Sequence, residues 1–317
     1  MARSEVNRPW RLWLWLAAVT LAVMLAISAH RGATVLTVAR YEIPAKVTSP
    51  LRIVQLSDLH SREFGDGNEN LIALVAAQEP DLIFLTGDML NRGGTAGDLE
   101  PLCHLIERLG QIAPVYWSDG NHEKILQATL EEDLHAALTR AGATVLDGTY
   151  ADITLRGQDL RLGGYCGYYR TPHMTTDDPA VMEAKNRFFE EFEDTHRLKL
   201  LLSHIPTTWV DWGFLDRLPV DLVFSGHYHG GQIRLPVIGG LYAPYVGFFP
   251  PNTRGVFTGE RGRCILTAGL GAEPGLPRIG NLPEIVVADL IPQSISTQGG
   301  APWKENTDTC WKSWGHT

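Results

Sequence analysis

Trp117-Ser118-Asp119-Gly120-Asn121-His122-Glu123 is the run on which the reading of the chain turns. An apolar, strand-like stretch, residues 112–117, leads into it, and a helix-prone stretch, residues 124–141, leads out. A neutral amide, an imidazole and a carboxylate therefore sit side by side on a strand-to-helix turn. α/β folds place their chemistry there, at the carboxyl ends of strands. Alone, Gly120-Asn121-His122-Glu123 has the composition of an ordinary polar turn. Its meaning comes from what stands at the other strand ends.

Working outward, Leu51 to Leu56 reads as a strand and residues 69–78 as a helix with Leu71, Leu74 and Val75 on one face. Residues 81–86 form a continuous apolar strand of the kind buried on both sides, and residues 99–109 a second helix. These β-α-β connections predict parallel strands with right-handed crossovers. From Ala143 the texture changes to short strands, at residues 145–146, 153–155 and 160–163, separated by Gly and Asp. That pattern predicts a second, more antiparallel sheet. An amphipathic helix follows at 181–192, then short apolar strands at 199–202 and 222–224. Residues 230–251, dense in Gly and Pro, read as an irregular loop, and strands at 264–267 and 284–290 close the sheet.

Five strand ends carry metal-ligand chemistry. They are Asp58 and His60 in Ser57-Asp58-Leu59-His60, Asp88 after Gly87, Asn121 after Gly120, His204 alone, and His227 and His229 in Gly226-His227-Tyr228-His229. In an extended turn an i, i+2 pair points to one side, so Asp58/His60 and His227/His229 can each aim two ligands inward. The glycines before Asp88, Asn121 and His227 remove a Cβ where the backbone turns sharply. The mixed N/O set lacks thiolate and suits borderline divalent ions such as Mn, Fe, Zn or Ni. Seven ligands exceed what one such ion takes and suit two, with Asp88, alone at the end of a central strand, as the bridge. Singly, each has a plainer reading: Asp58 or Asp88 as a helix N-cap, the histidines as turn residues. That all five sites follow buried strands by coincidence is the less economical account.

Composition limits the alternatives. The chain has 317 residues, a formal net charge of −9 and no long basic run, so no nucleic-acid-binding face is evident. Arg3, Arg8 and Arg11 precede an uncharged stretch from Leu12 to Ala29. As a helix it would span about 27 Å, close to the bilayer core. Trp10, Trp13 and Trp15 suit an aromatic belt, and the leading arginines predict a cytoplasmic N-terminus with the rest of the chain outside. A cleavable signal ending near Ala26-Ile27-Ser28 is the rival reading. Cys103, Cys166, Cys264 and Cys310 are scattered without zinc spacing, Cys103 and Cys264 lying in apolar runs that bury thiols.

The ordered set DxH, GD, GNHE, H and GHxH resembles the calcineurin-like metallophosphoesterase superfamily over residues 51–291. The loop 227–236, with Arg40-Tyr41-Glu42-Ile43, Gly269-Leu270-Gly271 and Leu276-Pro277-Arg278, resembles its membrane-associated YaeI/YkuE-type phosphodiesterase branch. The resemblance implies an α/β fold: a four-layer sandwich of two mixed β-sheets flanked by helices, after one N-terminal transmembrane helix. It divides the chain into a cytoplasmic stub with anchor or uncleaved signal at 1–30, a lead-in strand and connector at 31–50, a catalytic domain at 51–291 and a loosely ordered tail at 292–317. It implies two divalent metal ions (Mn, Zn or Fe), one held by Asp58, His60, Asp88 and His229 and the other by Asp88, Asn121, His204 and His227. His122 would be catalytic, beside the scissile phosphate, with Arg92 and Tyr228 as candidate substrate contacts at the rim. Asn91 stands where the family pairs a carboxylate with that histidine. The implied activity is phosphoester, chiefly phosphodiester, hydrolysis by metal-activated hydroxide at the membrane, on a lipid-linked or envelope-derived substrate. The alternatives are a UDP-2,3-diacylglucosamine pyrophosphatase and a non-catalytic, membrane-tethered binding protein.

Overall fold

The computed structural model describes residues 9–130, 133–167, 179–243, 246–272 and 275–293. Arg3, Arg8, Cys310 and nearly all of the expected tail lie outside these residues. Six helices are described: α1 (Pro9–Thr34), α2 (Glu69–Ala76), α3 (Ala96–Gly110), α4 (Asn121–Leu126), α5 (Leu134–Arg140) and α6 (Pro179–Glu193). The strands before the site loop are β1 (Thr37–Ala45), β2 (Leu51–Leu56), β3 (Leu82–Leu85), β4 (Val115–Trp117) and β5 (Ala143–Val145). Those after it are β6 (Thr149–Leu155), β7 (Gln158–Gly164), β8 (Leu198–Leu202) and β9 (Leu222–Ser225). Then come four two-residue strands, β10 (Arg234–Leu235), β11 (Gly239–Gly240), β12 (Tyr242–Ala243) and β13 (Gly247–Phe248), and finally β14 (Gly255–Thr258), β15 (Arg263–Leu266) and β16 (Glu284–Pro292).

Two six-stranded sheets run β1-β16-β2-β3-β4-β5 and β14-β15-β9-β8-β7-β6. In the first, β2 to β5 are parallel, while β16 is antiparallel to β2 and parallel to β1. In the second, β7, β8, β9 and β15 are parallel, with β6 and β14 antiparallel at the edges. Alternate residues of each strand serve different cores, as the two-residue period requires. Ile53, Phe84, Leu200 and Phe224 point between the sheets, where the Phe84 and Phe224 rings meet edge to face at 5.0 Å. Val54, Ile83 and Leu85 face the other way, onto Leu71 and Val75 of α2 and Leu102, Leu105 and Ile106 of α3. Leu201, Val223 and Cys264 face outward onto Phe188, Phe189 and Phe192 of α6. Three apolar layers thus separate helices, sheet, sheet and helix. Each fully buried Leu, Ile or Phe stabilises this arrangement by about 1.5–3 kcal/mol.

Three expectations need correction. Residues 145–146 were expected to begin the second sheet, but β5 pairs in parallel with β4 and ends the first. The 124–141 helix is two helices, because Asp133 accepts a hydrogen bond from the Ala136 amide and starts α5 anew. Residues 230–251 include two short hairpins, β10–β11 and β12–β13, rather than irregular loop throughout. α1 is long and apolar enough to cross a membrane, and from Trp10 to Ile27 it is exposed among the described residues.

Candidate metal centre

All the strands that carry candidate ligands run parallel within their sheets, so their carboxyl ends collect at one edge. The sheets are joined there by Gln55, whose amide nitrogen donates to Thr86 Oγ1 (2.9 Å) in its own sheet and to the Ser225 carbonyl (3.0 Å) in the other. Beyond that joint the backbone turns hard. Asp58, His60, Asp88, His227 and His229 all have positive φ, between 46° and 73°. Such backbone costs about 1–3 kcal/mol per residue and persists where surroundings over-determine it. Gly120 has an ordinary φ of −96°, and its role is close approach: a Cβ there would lie 2.1 Å from Asp88 Oδ1. Gly120→Ala is therefore expected to destabilise the fold by about 1–3 kcal/mol, seen as a lowered Tm with the Asp88 loop displaced.

The side chains converge. Ligand atoms of Asp58, His60 and His229 lie within 4.8 Å of one another, and so do those of Asp88, His204 and His227. Asp88 Oδ2 is 3.1 Å from His204 Nε2, 3.9 Å from His122 Nε2 and 4.0 Å from His60 Nε2. Asp58 Oδ1 lies 3.6 Å from His229 Nε2 and accepts the His227 amide at 2.9 Å. His204 Nδ1 donates to the Thr86 carbonyl at 2.8 Å, which commits its Nε2 lone pair to the cluster. His60 Nε2 faces His229 Nε2 at 3.2 Å. Buried and without a hydrogen-bond partner are Asp58 Oδ2 and the Asn121 side-chain oxygen, an arrangement costing about 1–3 kcal/mol per group if unmet. Unpaired oxygens among buried imidazoles fit divalent cations, so the donor set matches the chemistry of the expected ions.

The electrostatics agree in sense. Burial pushes His60 down to about 4 and His227 to about 3, and holds His229 well below its ordinary value. Burial likewise pushes Asp58 up to about 6, against the opposing pull of His204. For Asp88 burial acts upward too, but His204, His60 and His122 outweigh it and hold the carboxyl far below its usual range. His204 shows the reverse: burial pushes it down, and the Asp88 carboxylate raises it to about 10. One carboxylate facing several imidazoles is the charge pattern of a cation site.

His122, from the opening run, sits at the edge of the cluster with its ring 4.7 Å from that of His60. The Arg92 amide donates to His122 Nδ1 at 3.2 Å, so the ring carries its proton on Nε2, toward Asp88. Asn91 is turned elsewhere: its side-chain amide donates to the His60 carbonyl at 2.9 Å. Arg92 is exposed. Tyr228 is not at the rim; it is fully buried, its hydroxyl bonded to Thr207 (2.6 Å) and Asp211 (2.5 Å). A phenol that finds such partners is kept inside by them.

Several residues had no sequence-based assignment to this architecture. Glu123 is fully buried, and its carboxylate accepts from the amides of Asp88 (2.8 Å), Leu90 (3.0 Å) and Gly120 (2.8 Å). It ties the second and third ligand loops together, at the cost of a carboxyl that burial, with Asp88 and Asp119 nearby, pushes up to about 8. Its spacing from Gly120 announces a capping box; the two contacts across 33 and 35 residues leave no local trace. Arg278, 1% exposed, donates to the carbonyls of Gly271, Ala268, Leu282 and Asn281. It braces the Gly269–Gly271 turn, whose Leu270 amide donates to the Ser57 carbonyl at 3.0 Å beside Asp58. Behind the third loop, Asp119 accepts from Trp117 Nε1 (2.7 Å) and Gln127 (3.0 Å) and faces His135 (2.9 Å) and Lys124 (3.2 Å). The Lys124 ammonium also bonds Asp147, so this second acidic group already has its cation and acts as a brace.

A family model described as calcineurin-like phosphoesterase matches residues 51–231. Among curated proteins, the chain is 28% identical over 261 residues to "Phosphodiesterase YaeI" of Escherichia coli (strain K12), covering 77% of this chain and 83% of that one. It is 25% identical over 242 residues to the uncharacterized metallophosphoesterase YkuE of Bacillus subtilis (strain 168), covering 75% and 78%. It is 28% identical over 218 residues to "UDP-2,3-diacylglucosamine pyrophosphatase LpxG" of Chlamydia muridarum (strain MoPn / Nigg), covering 59% and 65%.

Proposed function

The chain belongs to the calcineurin-like phosphoesterase family, and from that premise we propose a binuclear, metal-dependent phosphodiesterase acting at a membrane surface. Asp58, His60, Asp88 and His229 would hold one divalent ion; Asp88, Asn121, His204 and His227 the other. The observation that carries this is the convergence of buried ligand atoms into two groups, Asp58/His60/His229 and Asp88/His204/His227, each within 4.8 Å, with Asp58 Oδ2 and the Asn121 oxygen left unpaired. Bound there, the ions would supply Lewis-acid polarisation of the phosphoryl oxygens and acidify a water molecule. The chain's own contributions are positional. Glu123 fixes the Asp88 and Asn121 loops against each other. His122, protonated on Nε2, donates to a phosphoryl or leaving oxygen. Arg92, exposed and with its backbone amide on that histidine, would meet substrate charge.

The reading is tested by assaying the full chain, in detergent, against bis-p-nitrophenyl phosphate with Mn, Zn, Fe and Mg in turn. Hydrolysis with at least one ion is expected; none with any of them favours a binding protein on the same fold. Chelation should also register without an assay. With each of the two ions at roughly 100 times its Kd, removing both costs about 5 kcal/mol. In a domain of this size that lowers Tm by about 10–20 °C.

A second reading has one observation in its favour, the similarity to the pyrophosphatase LpxG. A nucleotide-linked lipid of that kind calls for a cytoplasmic active site, whereas the arginines before the apolar helix favour an extracytoplasmic one. A reporter fused at the C-terminus distinguishes the two.

A further inference from the structure

Two hairpins follow His229, β10–β11 and β12–β13, and they carry side chains that nothing in the described fold covers. Val237 is 107% exposed, Phe248 73%, Ile238 60% and Phe249 60%. Val237 (φ 70°) and Phe249 (φ 56°) are also held in left-handed backbone, which is costly for side-chain-bearing residues. Neither is repaid by burial among the described residues. Single exposed apolar residues are ordinary, but four large ones on adjoining hairpins, Val237 and Ile238 at the tip of the first, Phe248 on the returning strand of the second and Phe249 just after it, mark a surface that meets something apolar.

Their position identifies it. Ile233, at the base of the first hairpin, bridges Ile279, and the Arg234 amide donates to the Ile279 carbonyl at 2.8 Å. The next residue, Gly280, donates to Ser28 Oγ of α1 at 2.8 Å. Gly280 is pressed so closely on the hairpin base that a Cβ would lie 2.4 Å from the Arg234 carbonyl oxygen. One turn further along α1, Gly32 is pressed as closely on the Arg278 carbonyl. The last turns of the exposed apolar helix and the base of the apolar hairpins therefore meet at the single segment 278–280. A bilayer crossed by α1 would end beside these hairpins.

The same place opens onto the metal centre. A cleft of about 520 Å³ is lined both by Ala29, Gly32 and Ala33 of α1 and by His60 and Asn91 of the metal-centre loops. Leu276 and Pro277 add apolar lining. Arg62 also lines the cleft, half-buried and without a carboxylate partner among the described residues. The volume is in the range of small-molecule sites. An anion-binding cation in a cleft with apolar lining, at the foot of a membrane helix, suits an amphiphile that enters head first.

We propose that the β10–β13 hairpins dock into the bilayer that α1 spans, so that the cleft opens at headgroup level and draws a phosphoester-bearing lipid from the leaflet, with Arg62 pairing its phosphate charge. This rests on the phosphoesterase reading above and adds to it the route and the class of substrate.

The test uses the full chain in phosphatidylcholine–phosphatidylethanolamine vesicles and two esters with the same leaving group, p-nitrophenyl hexadecyl phosphate and p-nitrophenyl ethyl phosphate. The native chain should favour the hexadecyl ester in kcat/KM by roughly tenfold or more. Combining Val237→Asp, Ile238→Asp, Phe248→Asp and Phe249→Asp should erase that preference and leave turnover of the ethyl ester unchanged. Arg62→Gln should raise KM for both esters. An arm independent of activity uses a photoactivatable phosphatidylcholine in the same vesicles. Adducts are expected on the peptides carrying Val237 and Phe248 as well as on α1. Equal turnover of the two esters by the native chain, or adducts confined to α1, would overturn the proposal. Adducts on the hairpins with neither ester hydrolysed would leave the docking surface standing and remove the phosphoesterase reading instead.

Discussion

Asp88→Asn is expected to strip both ions from the protein at once. Its Oδ2 is the one carboxylate oxygen that faces His204, His122 and His60 together, at 3.1, 3.9 and 4.0 Å. Its Oδ1 is occupied by the His122 amide at 2.8 Å, so the side chain has no freedom to be replaced by another acceptor. Four histidines, Asn121 and Asp58 remain after the substitution, and a neutral amide in place of the shared anion takes away half of the cluster's carboxylate charge. In a dry site such a loss weakens each ion by several kcal/mol. Elemental analysis should therefore fall from two ions per chain toward none, and turnover of bis-p-nitrophenyl phosphate by about 10³-fold or more. Asn is nearly isosteric with Asp, so the apo protein should keep its far-ultraviolet dichroism. Unchanged metal content would mean that Asp88 does not bridge the two ions. Asp58→Asn provides the contrast: Asp58 belongs to only one of the two proposed ligand sets, and Asn can still accept the His227 amide that its Oδ1 holds at 2.9 Å, so one ion should remain.

The convergence of the candidate ligands was legible because each follows an apolar strand at once, and parallel strands must deliver their carboxyl ends to one edge. Asp58, Asp88 and His204 needed no contact information to be placed together. The same local logic failed where the partner is distant in sequence. Nothing near Val145 says that β5 adds to β4 rather than to β6; the choice is made by the α5 crossover and the core beneath it. Tyr228 reads as a rim residue because it lies between two ligand histidines, yet Thr207 and Asp211 satisfy its hydroxyl inside. Glu123 shows both sides of this. Its cap on Gly120 is a three-residue signal, while its hold on Asp88 and Leu90 depends on two strands pairing. Composition also masked the hairpins, since Gly and Pro make a two-residue strand and an irregular loop look alike. What sequence does carry there is Val237 and Phe248 among turn residues, an apolar excess that only burial data turn into an argument.

His122→Ala should separate chemistry from metal binding. The ring is buried beside the cluster, but His122 supplies none of the ligand atoms in the two sets proposed to hold the ions. Its Nδ1 accepts the Arg92 amide at 3.2 Å, so the proton resides on Nε2 and faces the space beside Asp88. A side chain oriented in this way can donate a hydrogen bond where negative charge develops, without first binding a proton from solvent. Its usual carboxylate partner is absent, Asn91 being turned to the His60 carbonyl, so the backbone alone sets the tautomer. His122→Ala should therefore retain both ions by elemental analysis while losing turnover by about 10²–10⁴-fold. The loss should be in kcat rather than KM, since the donor matters most in the transition state. A leaving group that needs little assistance sharpens the test. With p-nitrophenolate the defect should be smaller than with a simple alkoxide, if the ring serves the leaving oxygen. An equal defect for both would assign the ring to the non-bridging phosphoryl oxygens, and normal turnover with both ions bound would remove His122 from the chemistry altogether.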